Sequence, residues 1–332
     1  MQRESTQLWR EVAAAPATTR ATLDRSGRAI ATAAGVLAGS RRIVVTGNGA
    51  AWYVANAMWL AALATDRLAP ELVAVPAGVL ASGALTWRAG DAMIVVSTSG
   101  ELRDVVALLD SDLEVPIVAV TADPASSIGR AARAVVPTMV DSQDAVTHTQ
   151  AYLGNLTSAL GLWARIADDH SLADAVSMAD QVLVDAVHAA ADTRYDASVS
   201  DGATAVVAGT GAAWVAAQEA ALLLAEIAGV PAYGMETREG ATTGMYALGG
   251  DDLMVSISAG PPDDLLREAE DVCRERGARI VRLTTGAGAD PRLAAISTFP
   301  AAAALAIDLG LQRGRDVDRP PWVDAYYRTA RS

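Results

Sequence analysis

The chain has 332 residues, of which 52% are hydrophobic, so it is long enough for roughly two domains with sizeable cores. Its formal net charge of −13, from 39 acidic and 26 basic residues, excludes a surface that as a whole attracts nucleic acid or an anionic membrane. The sequence contains no lysine, which excludes lysine Schiff-base chemistry, and its one cysteine, Cys273, cannot form a disulfide framework or a metal cluster.

The ends of the chain and its apolar runs bear on where the protein works. The N-terminus is polar and charged, and no segment reaches 18 consecutive apolar residues. We therefore expect a cytoplasmic protein with no membrane partner and no nucleic-acid partner.

The first half of the chain alternates between strand-like and helical patterns. Residues 6–39 predict two helices, broken near Pro16. Helical runs such as Ala50–Ala64 and Leu102–Leu109 then lie between five strand-like runs, and a long helix is expected at 147–167. The predicted strands are Arg42–Thr46, Leu72–Val75, Met93–Ser97, Pro116–Thr121 and Ala134–Pro137. Such alternation indicates a parallel sheet with helices on both faces.

The second half repeats this alternation after a predicted linking helix at 171–192. Its strand-like runs are Thr204–Ala208, Pro231–Gly234, Leu253–Ser258 and Arg279–Leu283. Its helical runs are Ala212–Ala228, Asp263–Arg276 and Ala301–Leu311. We therefore expect an α/β protein made of two similar halves.

A glycine turn follows the first strand of each half. Gly47-Asn48-Gly49, followed by Ala-Ala-Trp, is matched by a second turn at 209–214 with the sequence Gly-Thr-Gly-Ala-Ala-Trp. Small residues at the start of a helix allow the backbone amides to approach an anion, which makes a phosphorylated ligand the first candidate. The alternative is a tight turn that serves packing alone. A dinucleotide is less favoured, because the third glycine and the acidic residue that binds ribose are missing.

The loop Ser97-Thr98-Ser99-Gly100-Glu101 follows an apolar strand. Its three hydroxyls at the carboxyl edge of a parallel sheet predict a neutral cradle for phosphate. The alternative is a helix N-cap at Ser99 or Gly100, with Glu101 in the first helical turn and no ligand.

Two glutamates lie seven residues apart in an otherwise apolar helix. Glu219 and Glu226 therefore share one face, and Glu226 is near the carboxyl end of that helix. Desolvation and the helix dipole should raise the pKa of Glu226, which suits a general base near neutral pH. A solvated stripe or one half of a buried ion pair remains the alternative.

The three histidines are scattered along the chain, so no metal site is expected. His148 lies among small polar residues at the start of the long helix, which makes it the candidate for acid–base chemistry. His170 and His188 are expected to be solvated and packed, respectively.

The chain resembles the sugar isomerase (SIS) domain proteins, in particular the isomerase half of glutamine–fructose-6-phosphate transaminase. The resemblance rests on the first glycine turn, the Ser-x-Ser-Gly-Glu loop, the stretch containing Thr149, the helix that ends at Glu226 and the intact Gly-x-Asp-Val-Asp-x-Pro motif at 314–320. It implies two tandem SIS domains, each with a flavodoxin-like parallel five-stranded sheet and helices on both faces. The implied divisions are N-terminal helices at 1–40, the first domain at 41–170, a linking helix at 171–200, the second domain at 201–314 and a tail at 315–332.

The resemblance also implies roles for individual residues. A sugar phosphate or amino-sugar phosphate would bind at Gly47, Asn48, Gly49, Ser97, Thr98, Ser99 and Thr149, and Glu226 would move a proton between C1 and C2 during isomerisation, deamination or deglycation. The chain differs from the family at its ring-opening histidine, where Thr242 stands, and at its lysines, so His148 or Glu239 would have to open the ring.

We accordingly expect an enzyme that needs no metal or cofactor and that forms a homodimer, since the family commonly shares active-site residues between subunits. The alternative is a sugar-phosphate sensor or regulatory protein that has lost the catalytic histidine and lysine.

Overall fold

The computed structural model describes residues 2–65, 69–109, 113–196, 199–284, 289–321, 323 and 325. The chain forms two compact units. The N-terminal unit comprises Ala17–Asp141 and Gln150–Met178, and the C-terminal unit comprises the chain up to Pro16, Ser142–Thr149 and Ala179–Pro321. This division concerns compact units, and the domain limits expected from the sequence stay a prediction.

The N-terminal unit contains a parallel sheet of five strands in the order β2-β1-β3-β4-β5. The strands are β1 (Arg42–Thr46), β2 (Glu71–Ala74), β3 (Asp91–Val96), β4 (Ile117–Thr121) and β5 (Ala134–Pro137). Between and after them lie α2 (Ala50–Leu63), α3 (Ala77–Ala81), α4 (Arg103–Leu109), α5 (Ser127–Ala131), α6 (Thr149–Ile166) and α7 (His170–Ser177). This strand order is the flavodoxin-like one that the resemblance implied.

The C-terminal unit contains a parallel sheet of four strands in the order β7-β6-β8-β9. The strands are β6 (Ala205–Gly209), β7 (Ala232–Glu236), β8 (Leu253–Ser258) and β9 (Arg279–Thr284). The helices are α8 (Ala179–Asp192), α9 (Ala213–Leu223), α10 (Thr237–Thr242), α11 (Asp264–Glu275), α12 (Ala294–Ser297) and α13 (Phe299–Gln312). Short 3-10 turns lie at Arg3–Ser5, Gly244–Ala247 and Pro291–Leu293.

The expected fifth strand of the second sheet is missing from the described residues. The four segments predicted as strands in this half are the four strands observed, and no fifth strand-like run precedes the helices. After β9 the described chain resumes at residue 289 and enters an alanine-rich helical stretch, whose composition favours helix over strand.

Central strands of both sheets are almost wholly buried, as parallel strands covered on both faces require. In the N-terminal unit, Val44 of β1 lies between Val73 and Met93 of its neighbours, and all six residues of β3 are buried. In the C-terminal unit, Val206 and Met254 pack with Leu266 and the buried Cys273 of α11. These two clusters are the cores that the length and composition predict.

The N-terminal segment forms one helix, α1 (Gln7–Leu37), where the sequence predicted two helices broken near Pro16. Proline already has a helical φ, so its cost is one missing N–H donor and crowding of the preceding turn. Buried side chains line the helix on both sides of the proline, from Leu8 and Val12 to Thr19 and Thr22, and their packing outweighs that cost.

The predicted linking helix at 171–192 is two helices. α7 ends at Ser177 and α8 begins at Ala179, with Met178 capping the first outside helical geometry. The boundary between the two units falls at this break. Apolar spacing alone does not reveal such a break, because both helices keep buried residues three or four positions apart.

Among the described residues, one helical run, Pro291–Gln312, is long and apolar enough to cross a membrane by length and composition alone. Its most apolar window is 94% buried inside the structure, which is the environment of a core helix.

Candidate functional site

The two glycine turns have the same local geometry. A Cβ on Gly47 would lie 2.7 Å from the carbonyl carbon of Ala51, and a Cβ on Gly209 would lie 2.3 Å from the carbonyl oxygen of Ala213. The last glycine of each turn, Gly49 or Gly211, has a φ of 56° or 59°, which L side chains rarely adopt. Close packing of the helix start on the preceding strand therefore explains the glycines at 47 and 209, whether or not a ligand binds.

The middle residue of each turn is tied to the helix that follows the third strand of its unit. Nδ2 of Asn48 donates to the carboxylate of Asp104 in the first turn of α4, at 3.1 Å. Oγ1 of Thr210 donates to the carboxylate of Asp263, the N-cap of α11, at 2.8 Å. Asn48 is therefore held in place, and Asp104 is a neighbour of the first turn that the sequence pattern did not identify.

The hydroxyls of the serine loop all accept hydrogen bonds from within the N-terminal unit. Oγ of Ser97 accepts from the amide of Gly100 at 3.1 Å, and Oγ of Ser99 accepts from the amide of Glu101 at 3.3 Å. Oγ1 of Thr98 accepts from Nδ2 of Asn155 at 2.9 Å. A hydroxyl that accepts in this way keeps its own O–H as a donor, which is the kind of group that a phosphate oxygen needs.

Asn155 is a further loop contact that sequence reasoning missed. It is buried on α6, and its Oδ1 accepts from Thr138, which fixes the direction of its amide. The signal in the sequence was an amide in the middle of a largely apolar helix.

The rest of the loop docks on α5 and does not cap α4. A Cβ on Gly100 would lie 1.9 Å from Oγ of Ser126, the N-cap of α5. The carboxylate of Glu101 accepts from the amide of Ser127 at 2.7 Å, and this bond lowers the pKa of Glu101. Because α4 begins only at Arg103, the alternative of an N-cap at Ser99 or Gly100 is wrong.

Glu226 lies in the C-terminal unit, on a π-helical turn (Leu224–Ala228) that continues α9. Single π-turns of this kind are rare and occur frequently at functional sites. Glycines make room around it: Gly310 of α13 approaches the carbonyl oxygen of Ile227, and the guanidinium of Arg315 packs on Gly229. The turn is therefore enclosed by α13 and by the motif at 314–320.

Burial raises the pKa of Glu226 from 4.5 to about 7, although the side chain is only half-buried. Oγ1 of Thr147 donates to Oε2 of Glu226 at 3.4 Å, and this bond opposes part of the rise because it favours the ionised form. Desolvation is thus the dominant cause, as the apolar helix predicted.

Glu219 is more deeply buried than Glu226, with 4% of its surface exposed. Burial raises its pKa well above 4.5, and the negative charge of Glu226 raises it further. The two carboxyls are therefore near enough to interact electrostatically, as the seven-residue spacing predicted. Among the described residues, Oε2 of Glu219 has no hydrogen-bond partner. Glu226 therefore ionises first, beside a neutral Glu219.

The remaining predicted site residues also lie in the C-terminal unit. His148 is half-buried between Thr147 and Thr149, in the segment that leads into α6. Thr149 is 1% exposed, and within the described part of the chain its hydroxyl makes no hydrogen bond. Glu239 is exposed on α10, where its backbone carbonyl accepts from Thr242 and Thr243. Within the described ranges, no group of three or more His, Cys, Asp and Glu side chains is placed to hold a metal ion.

Two parallel sheets with the order 2-1-3-4 and helices between the strands define a tandem, doubly wound α/β protein. The SIS domain family matches residues 36–160 and 199–292, so the chain belongs to this family. Curated proteins give no match.

Solved structures with the same fold cover nearly the whole chain. The C-terminal domain of glucosamine-fructose-6-phosphate aminotransferase from Francisella tularensis is 17% identical, with 96% of this chain and 100% of that chain covered and a TM-score of 0.78. Glucosamine-6-phosphate deaminase from Thermotoga maritima is 14% identical, with 95% and 98% covered and a TM-score of 0.75. Tagatose-6-phosphate ketose/aldose isomerase from Escherichia coli is 16% identical, with 95% of each chain covered and a TM-score of 0.74.

Proposed function

We propose that the protein is an enzyme that binds a sugar phosphate or amino-sugar phosphate and moves a proton between C1 and C2 of its open chain, with Glu226 as the base. The observation that supports this most is a carboxyl group with a pKa of about 7 on a π-turn. The names of the three structural neighbours, all of which specify a phosphorylated sugar or amino sugar, support the ligand class.

A base with this pKa is suited to carry a proton in both directions at neutral pH. About half of the Glu226 carboxyls are ionised there, so the group can take a proton from carbon and hold it long enough to return it. A group with the ordinary pKa of a glutamate would be a weaker base by more than two pH units. The neutral Glu219 beside it adds no negative charge that would oppose ionisation.

The proton transfer balances without any added reagent. The Glu226 carboxylate removes the proton from C2 of an aldose, the electron pair forms the C1–C2 double bond, and the C1 carbonyl oxygen gains a proton. The resulting enediol then loses the C2 hydroxyl proton and receives a proton from Glu226 at C1, which yields the ketose. His148 and Glu239 are the candidates for exchanging protons with the oxygens and for opening a ring, because Thr242 cannot act as an acid–base group.

The phosphate is assigned to the serine loop and the Gly47 turn of the N-terminal unit. Thr98 and Ser99 are at least partly exposed and already accept from amides, so their O–H groups can donate to a phosphate oxygen, whereas Ser97 is buried and accepts from the amide of Gly100. Asp104, which holds Asn48, adds a carboxylate near this turn, so we expect Asn48 to orient the turn and the hydroxyls to contact phosphate.

A second function is favoured by one observation, the absence of lysine from the whole chain. Together with Thr242 in place of the family histidine, it fits a protein that binds a sugar phosphate as a sensor and does not turn it over.

The two functions are separated by measuring binding and proton exchange on the same compounds. Thermal shifts with fructose-6-phosphate, glucosamine-6-phosphate and related compounds report binding, with unphosphorylated fructose as the control ligand. We expect Ser99→Ala to reduce the shift and Ser82→Ala, an exposed serine on the same unit, to leave it unchanged.

Deuterium incorporation in D2O, followed by NMR at C2 of the aldose compounds and at C1 of fructose-6-phosphate, reports catalysis. Binding together with exchange supports the enzyme, and binding without exchange on every compound supports the sensor. If no phosphorylated sugar shifts the melting temperature, both functions are rejected.

A further inference from the structure

The segment 142–148, which carries Thr147, contains neither helix nor strand, so its position depends on hydrogen bonds from other elements. The buried carboxylate of Glu11 on α1 supplies two of them. Its Oε1 accepts from the amide of Asp144 at 2.7 Å and from the amide of Ala145 at 2.9 Å. One carboxylate oxygen therefore fixes two consecutive residues of the segment.

Asp318, in the motif at 314–320, fixes the next residue. Its backbone carbonyl accepts from the amide of Val146 at 3.1 Å. Its carboxylate accepts from the amides of Gln7 at 3.0 Å and Leu8 at 2.8 Å, and so caps the N-terminus of α1 with both oxygens. Asp318 thus joins the motif to α1 and to the segment that reaches Glu226.

The two acids are connected through the first turn of α1. The backbone amide of Gln7 donates to Asp318, and its side-chain amide donates to Glu11 at 3.1 Å. Three consecutive amides, at 144, 145 and 146, are therefore held from a single assembly, and the next residue, Thr147, places its hydroxyl against Glu226.

We propose that Glu11 and Asp318 are positioning residues for Glu226, which act by holding Thr147 in hydrogen-bonding contact with its carboxylate. This inference rests on the proposed role of Glu226 and assigns a purpose in the reaction to two acids that contact no substrate. It also gives the motif at 314–320 a task at the site, since Arg315 packs on Gly229 at the end of the π-turn.

Other charged or titratable side chains near the π-turn stand on the elements packed against it. They are Glu219 on α9, Asp308 on α13, Arg315 after α13 and His148 beside Thr147. Asp308 is engaged in an ion pair with the buried Arg3 at 3.0 Å. Variants of Glu11 and Asp318 leave all four side chains in place, so a change in the titration of Glu226 can be assigned to Thr147.

The experiment follows the ionisation of Glu226 by carbon-13 NMR of the full-length protein with labelled glutamate carboxyls, without substrate. The resonance is assigned by its loss in Glu226→Gln. In Thr147→Val we expect the titration midpoint to rise by about half to one pH unit, because a hydrogen bond that favours the ionised form is lost. Glu11→Ala should raise it in the same direction, and the double variant should rise no further than Thr147→Val alone.

Two further variants separate positioning from general support of the fold. Glu11→Gln keeps an oxygen acceptor for the two amides and should restore the wild-type midpoint. Asp318→Ala keeps the carbonyl that binds Val146 but removes the cap of α1, the helix that carries Glu11, so it should raise the midpoint even if Glu11→Ala fails to fold. The matched control is Asp252→Ala, because Asp252 also accepts two loop amides in the same unit, those of Thr204 and Gly249. It should lower the melting temperature and leave the midpoint unchanged.

The inference is overturned if Glu11→Ala and Asp318→Ala lower the melting temperature but leave the midpoint at its wild-type value. Because no turnover is measured, this result is distinct from failure of the proposed function, which would appear as absent C2 exchange or as a wild-type midpoint near 4.5.

Discussion

At the scale of single residues, the site depends on two carboxyls that the fold makes hard to ionise. Burial raises the pKa of the half-buried Glu226 to about 7, and burial together with the charge of Glu226 raises the pKa of the neighbouring Glu219 well above its ordinary value. A carboxyl whose ionisation is opposed by burial reduces the stability of the folded protein at neutral pH. Such a cost is typical of groups that take part in a reaction.

This cost predicts the pH dependence of stability in Glu226→Gln. Between pH 4.5 and about 7 the unfolded chain loses the Glu226 proton before the folded protein does, so the contribution of Glu226 to wild-type stability falls as the pH rises through this window and is constant above it. The variant has no such titration, and we expect it to be more stable than wild type by about 3 kcal/mol at pH 8, with the difference vanishing below pH 4.5. Urea unfolding at several pH values measures this.

The control for that comparison is Glu268→Gln, an exposed glutamate on α11 whose replacement should not reproduce the pH-dependent gain. An equal stability difference at pH 4 and pH 8 would show that burial of Glu226 does not perturb its ionisation.

The sequence was sufficient to predict the direction of the Glu226 pKa, because a seven-residue spacing in an apolar helix fixes both the face shared with Glu219 and the desolvation, while the catalytic role of Glu226 stays a prediction. It was not sufficient to predict Thr147, Glu11 or Asp318 as a group. Their contacts join parts of the chain that lie far apart in sequence, and such pairings depend on tertiary packing that no local pattern records.

At the scale of elements, the strands and most helices followed from the alternation of apolar runs. The π-turn did not, because its apolar residues fit an ordinary helix equally well and the extra residue is accommodated by glycines on neighbouring elements. The break at Pro16 was wrongly predicted for the opposite reason, since a local breaker was overruled by packing along α1.

The glycine turns give a prediction at this scale. Gly47→Ala and Gly209→Ala should each destabilise the protein by about 2 kcal/mol or more, because the new methyl group would overlap the first turn of the following helix. Gly49→Ala should cost about 1–3 kcal/mol, since its surroundings are open and the cost is that of its backbone conformation, with φ 56° and ψ −131°. Chemical denaturation measures all three.

Gly27→Ala is the matched control, because Gly27 lies within α1 and a Cβ added there would have no neighbouring atom within 4 Å. Alanine should stabilise the helix at this position. If Gly47→Ala were as stable as Gly27→Ala, close helix packing would not be the reason for the first glycine.

At the scale of the whole molecule, the chain is a pair of α/β units whose sheets share the strand order 2-1-3-4. The matching glycine turns and their matching bonds to Asp104 and Asp263 support an internal repeat, which stays a prediction. The homodimer expected from the family resemblance also stays a prediction, and a solution mass of twice the 34.2 kDa of one chain would confirm it.

The account depends most on Glu226 as the group that moves a proton on a bound sugar phosphate. The direct measurement is deuterium incorporation in D2O, at C2 of an aldose phosphate or at C1 of a ketose phosphate that shifts the melting temperature, compared between wild type and Glu226→Gln. We predict that exchange falls at least about 100-fold in the variant while the thermal shift with the same ligand is retained. Undiminished exchange in Glu226→Gln would contradict the account.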